Sequence, residues 1–152
     1  IIPFLMDKEK LNVEEMNRII YKESGFLGLS EGISSDNRDL GDKAKQGDER
    51  AMRTIFAFTY GIKKYIGAYA AAMGGVDVIV FTAGIGENSP ETRAEACKGL
   101  DFLGVKIDPE RNKVSAKEAI ISSDNSRVKV MVIPTNEELM IAKDTAEISG
   151  SL

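Results

Sequence analysis

The stretch from Glu49 to Met73, closed by Gly74-Gly75 and followed at once by an apolar run, constrains the fold most. Met52, Ile55, Phe56, Ile62, Ile66, Tyr69 and Met73 recur at helical spacing, while Glu49, Arg53, Lys63 and Lys64 fall largely elsewhere on the wheel. Gly61 and Gly67 weaken such a helix by up to about 1 kcal/mol each, and they also allow close packing. Gly74-Gly75 is a strong stop. Asp77 to Thr82 then reads as a central buried strand, because Val78, Ile79, Val80 and Phe81 leave no polar face. A long helix feeding a buried strand predicts one α/β layered domain spanning 1–152.

The remaining elements fit that class. Leu11 to Tyr21 reads as a short amphipathic helix capped by Asn12. Ser24 to Leu29 reads as a turn, and Arg38 to Gly47 as a polar segment with room for a short helix. Ala83 to Asn88 reads as a loop, and Ser89-Pro90-Glu91 as the start of a helix ending near Gly99. Lys106 to Asn112 is turn-like. Glu118 to Ser122 and Arg127 to Ile133 read as strands, and Thr135 to Ile148 as a closing helix. The opening Ile1-Ile2-Pro3 has neither a basic leader nor a cleavage site, and it reads as the interior of something longer.

Composition narrows the chemistry. The 152 residues carry 20 Lys and Arg against 24 Asp and Glu, a net charge of −4 that argues against nucleic-acid and anionic-membrane partners. No uncharged run is long enough to cross a bilayer. There is no histidine, so the commonest general base and metal ligand is missing. A single cysteine excludes an internal disulfide and a cysteine zinc site. Carboxylates, amides, hydroxyls, guanidinium groups and backbone N–H remain.

Three segments offer such groups. Gly84 and Gly86 follow the strand at 77–82 and precede a helix N-terminus, a place where free N–H groups attract anions such as phosphate. A plain tight turn fits the same residues, which lack the lysine of a Walker loop. Between Ser34 and Asp39, Arg38 can bind phosphate or stack on a base, and Asp36 can accept from a sugar hydroxyl. A helix cap followed by an Arg–Asp pair fits equally. In Pro134 to Leu139, the T-x-x-E spacing assigns Glu138 to a capping box with Thr135 and leaves Glu137 free. Glu137 then either holds Mg²⁺ or complements the helix dipole. Cys97, with Ala94 and Leu100, reads as core. The scattered methionines read as gap-fillers of the core, and Lys63-Lys64 as a solvated face.

Taken together, Ser34-Ser35-Asp36-Asn37-Arg38-Asp39-Leu40, Phe81-Thr82-Ala83-Gly84-Ile85-Gly86-Glu87-Asn88-Ser89-Pro90-Glu91-Thr92-Arg93 and Ile133-Pro134-Thr135-Asn136-Glu137-Glu138-Leu139 resemble the carboxy-terminal part of the acetate kinase family. Ser24-Gly25-Phe26-Leu27-Gly28 resembles that family's Ser-Gly-Leu-Leu-Gly. The likeness runs from about Ile1 to Thr145. It implies a ribonuclease H-like α/β domain of the acetate and sugar kinase, Hsp70 and actin superfamily, here incomplete and lacking the amino-terminal domain. It also implies reversible phosphoryl transfer from ATP to acetate with Mg²⁺, giving acetyl phosphate and ADP, in a cytoplasmic homodimer.

By the same resemblance, Asp36, Asn37, Arg38, Gly84, Ile85, Gly86, Glu87 and Asn88 are expected at the nucleotide, and Glu137 at the metal. Asn37 departs from the family, which places an aromatic there. The family's catalytic acid, clamping arginines and active-site histidine have no counterpart, so no catalytic residue is expected in this chain and acetate turnover by it alone is not. A propionate kinase, or a non-catalytic nucleotide-binding or dimerisation module, is the competing expectation.

Overall fold

The computed structural model describes residues 1–150, which form two compact units, Ile1–Ile62 and a second that begins at Lys63. In the first, α1 (Ile2–Glu9) has proline in its first turn and ends at Lys10, in the left-handed region at φ 55°. Asn12 caps α2 (Val13–Arg18) as predicted. Its side chain accepts from the Glu15 N–H at 2.9 Å, and the Glu15 carboxylate accepts from the Asn12 N–H at 2.8 Å. The helix then widens into a π turn, Ile19–Glu23, ended by the Ser24 hydroxyl donating to the Ile19 carbonyl. The expected turn at 24–29 is instead a short helix, α3 (Gly25–Leu29). Gly28 is held to glycine there, because a Cβ would lie 2.7 Å from the Glu23 carbonyl oxygen.

The polar segment does hold a helix, α4 (Asn37–Lys45), and α5 covers Glu49–Met73 as predicted. Leu40, Met16 and Ala51 are buried, and Phe26 meets Phe58 edge to face at 4.9 Å. The buried positions on α5 differ from those expected. Small side chains, Ala51, Thr54, Thr59 and Ala70, are the ones enclosed. The threonine hydroxyls bond to carbonyls one turn back. Met52, Phe56, Tyr69 and Met73 are exposed, with Phe56–Tyr60 and Tyr65–Tyr69 stacked on the helix surface. The core role expected of the methionines holds for Met16 and fails for Met52, Met73 and Met140, which are exposed.

The second unit contains β1 (Val78–Phe81), α6 (Ala83–Asn88), α7 (Pro90–Cys97), β2 (Ala119–Ile120), β3 (Lys129–Val132) and α8 (Glu137–Ile148). The sheet order is β1-β3-β2. β1 runs parallel to β3, with Ile79 opposite Val130 and Phe81 opposite Val132, and β2 is antiparallel to β3. Ile79, Phe81, Val130 and Val132 pack the inner face with Ile121, Ala96, Cys97, Leu100 and Val105.

The central, two-faced burial expected of 77–82 is not found. β1 is an edge strand among the described residues, and Val78 and Val80 are 44% and 46% exposed. An apolar residue on each side suits a strand covered on both faces, and here one face is covered. The turn-like segment 106–112 contributes a bridge from Ile107 to Ser122 and a 3₁₀ turn at Arg111–Lys113. Because β1 and β3 are parallel and in register, their carboxyl ends stop side by side, with the Ile133 N–H bonded to the Phe81 carbonyl at 3.0 Å. Thr82 and Pro134 therefore lead their two loops out of one edge of the sheet, where open α/β sheets place ligands.

Candidate nucleotide and metal site

At that edge Thr82 and Thr135 meet, hydroxyl to hydroxyl, at 2.8 Å. The segment 83–88, expected as a loop, is helix α6. Its first residue, Ala83, sits at φ 57°, a conformation that costs a non-glycine residue about 1 kcal/mol or more. The Thr82 hydroxyl meets Thr135 and does not cap α6, which has no side-chain cap. Its first N–H groups are left without helical partners. The helix that sequence spacing marked for an anion, α7, is instead satisfied: Pro90 lacks an N–H, and the Ser89 hydroxyl accepts from the Thr92 N–H. The uncapped helix start at this edge is therefore that of α6, at Ala83–Gly84, and not that of α7.

The capping box at 135–138 does not form. Asn136 is the cap of α8, accepting from the Leu139 N–H at 3.0 Å, so Glu138 has no capping role. Thr135 is drawn elsewhere: its N–H donates to the Glu87 carboxylate at 2.8 Å. That bond ties α6 to the start of α8. It also commits Glu87, while both ends of the Asn88 amide are used, Nδ2 on the Gly84 carbonyl and Oδ1 on the Ser115 hydroxyl.

Between these parts lies a cleft of about 410 Å³ lined by Ala83, Gly84, Glu87, Thr135, Asn136, Glu137 and Glu138. Gly84 and Glu137, more than fifty residues apart, share this wall. A Cβ at Gly84 would meet nothing within 4 Å, so the backbone there stands open to a ligand, whereas Gly86 faces Phe81 and serves packing. Ile85 is half-buried and lies outside the lining.

The donor set suits a hard cation. Glu137 and Glu138 are exposed carboxylates, and a magnesium ion takes one or two such groups and completes its shell with water and phosphate oxygens. No group of three metal-ligating side chains occurs among the described residues.

Asp36, Asn37 and Arg38 belong to the first unit. Asp36 caps α4 through the Arg38 N–H at 2.8 Å, and the Arg38 guanidinium grips the same carboxylate at 3.1 and 2.7 Å. Those contacts hold the Asp36 carboxyl down at about 2 and raise Arg38 further. Of the two readings of this segment, the cap with a local ion pair is the arrangement present. Asn37 Oδ1 is buried without a partner. Cys97 is core as expected, its thiol pushed up to about 12 by burial. The buried Arg93 is the residue that sequence reasoning passed over.

The chain matches the model of the acetokinase family over residues 1–143. The chain belongs to the acetokinase family. It is 61% identical to the acetate kinase of Thermoanaerobacterium thermosaccharolyticum across the whole of this chain and 38% of that protein. The crystal structure of Porphyromonas gingivalis acetate kinase superposes with a TM-score of 0.89 at 49% identity, over 97% of this chain and 37% of that one. A propionate kinase from Francisella tularensis superposes with a TM-score of 0.82 at 36% identity, over 92% of this chain and 35% of that one. The acetokinase-family chain therefore spans a little over a third of the length of the relatives it matches, and its mixed α/β architecture is the corresponding part of theirs.

Proposed function

We propose that this chain supplies the nucleotide and Mg²⁺ part of a kinase that moves a phosphoryl group between ATP and acetate, giving acetyl phosphate and ADP reversibly. The cleft shared by Gly84 and Glu137 carries this reading. The open backbone at Gly84 admits the phosphate chain, and Glu137 holds the ion. A bound Mg²⁺ neutralises phosphate charge, which is what makes a cleft walled by carboxylates acceptable to an anion. Asp36, Asn37 and Arg38 are proposed as nucleotide-binding residues, with Arg38 exchanging its bond to Asp36 for one to the ligand.

The homologues' names support an acetate kinase, and the likeness to the Francisella structure supports a propionate kinase as the alternative reading. The protein is proposed to act as a cytoplasmic homodimer, and no helix among the described residues is long and apolar enough to cross a membrane. Calorimetry with Mg-ADP tests the reading. Binding is expected for the wild type, with a loss of about tenfold or more in Glu137→Gln as the ion loses its carboxylate. Equal affinity in both would remove Glu137 from the metal site.

A further inference from the structure

Arg93 lies on α7 with none of its surface exposed, yet all of its hydrogen bonds end on uncharged oxygens. Nε donates to Asn112 Oδ1 at 2.9 Å. Nη1 donates to the Gly86 and Glu87 carbonyls at 2.8 and 2.9 Å. Nη2 donates to the Asn112 and Val114 carbonyls, both at 2.7 Å. A guanidinium has five N–H donors in a fixed planar fork, and each has an acceptor here. Burial pushes the guanidinium down from its ordinary value, with the Glu91 charge opposing that. A cation left in the interior needs full hydrogen bonding, and the fold provides it.

The choice of acceptors is informative. Gly86 and Glu87 are in the last turn of α6, where carbonyls have no helical partners and the helix dipole is negative. Asn112 and Val114 flank a strap that also reaches this turn. The Ala116 N–H bonds to the Glu87 carbonyl at 3.3 Å, and the Ser115 hydroxyl bonds to Asn88 Oδ1 at 2.7 Å. The Asn112 amide in turn donates to the Pro90 carbonyl at 2.8 Å, closing the ring around α7. From Glu87 the connection continues outward. Its carboxylate takes the Thr135 N–H, two residues before Glu137.

We propose that Arg93 is a positioning residue for the candidate site. It pins the end of α6 against the 112–116 strap and, through Glu87, sets the start of α8, so that Gly84 and Glu137 line one cleft. It touches no ligand. Its effect on binding rests on the proposed reading of that cleft, whereas its effect on the backbone does not.

The test compares wild type, Arg93→Lys and Asn112→Ala in the longest chain the reading frame encodes, by amide hydrogen exchange and Mg-ADP calorimetry well below each melting temperature. Lysine keeps the charge but has three donors and no fork. Exchange in 84–89 and 135–138 is expected to rise about tenfold or more over that in β3, with Mg-ADP weakened by about tenfold or more. Asn112→Ala leaves the guanidinium in place and removes one acceptor, so its effects on the same segments should be smaller. It carries the test if the lysine variant does not fold. Unchanged exchange in those segments, or a uniform rise across the chain with unaltered affinity, would overturn the proposal and leave Arg93 as core packing. Absence of Mg-ADP binding in the wild type would sink the nucleotide reading, and the exchange pattern would still decide on Arg93.

Discussion

Asp36 and Arg38 form a helix cap and an exposed ion pair at the start of α4. The Arg38 side chain is 87% exposed, so its bond to Asp36 competes directly with water and with any phosphate that approaches. The Arg38 side chain is the largest cause of the depressed Asp36 carboxyl, followed by the Arg38 backbone N–H. Arg38→Ala removes the first and leaves the second. A carbon-13 titration should therefore show Asp36 moving up from about 2 towards 3.8 without reaching it. The direction for stability follows. A carboxyl held low when folded contributes above its ordinary pKa of 3.8, and that contribution is lost as pH falls from there towards 2; in the variant the contribution is smaller, and its loss begins at the same pH and ends at a higher one. An unmoved Asp36 would show that the guanidinium contact is absent in solution. The cap and the ion pair were both legible in the spacing of Asp36 and Arg38. The orphaned oxygen of Asn37 was not, because nothing local in the chain says what surrounds it.

Helix ends decide where the candidate site lies. Asn136, one residue later than the T-x-x-E pattern indicates, caps α8. Asn136→Ala should lower stability by about 1 kcal/mol. Thr135→Ala keeps its backbone bond to Glu87 and loses only an exposed hydroxyl pair, so it should cost less than about 0.5 kcal/mol. Urea melts followed by circular dichroism measure both, and an equal loss in the two would return the cap to Thr135. The caps at Asn12 and Ser89 were readable because their partners lie three residues away. Thr135 was misread because its partners, Thr82 and Glu87, follow the neighbouring strand β1 and lie about fifty residues away in the chain. The glycines of 83–88 likewise signalled a loop. The segment is helical because Asn88 bonds back to the Gly84 carbonyl and Arg93 binds its last turn, and the second of these is a tertiary contact. Strand positions were correct, but burial on both faces of β1 was not. A two-faced apolar pattern states a need for cover and cannot state which residues supply it.

For the whole molecule, the cation inventory of the cleft matters most. Its lining includes Glu87, Glu137 and Glu138 and no lysine or arginine. Elsewhere the arginines are engaged: Arg93 on carbonyls, Arg38 on Asp36, Arg53 on Glu31 and Arg111 on Asp124. Phosphoryl transfer asks a protein to hold the nucleotide and acceptor in line and to place positive charge on the moving group. On the proposed reading, the cleft takes part in the first task and, through a bound Mg²⁺, in a share of the second. Its lining offers no fixed cation for a transferred phosphoryl among the described residues. An arginine so placed is worth about 10³–10⁵ in rate among phosphoryl-transfer enzymes. The purified 152-residue chain, assayed by hydroxamate trapping of acetyl phosphate, should therefore run at least about a thousandfold below a full-length acetate kinase at saturating Mg-ATP and acetate. Mg-ADP binding by the same sample would separate an incomplete site from an unfolded one. Turnover within tenfold of the full-length enzyme would mean that the charges needed for transfer come from side chains of this chain that rearrange on binding.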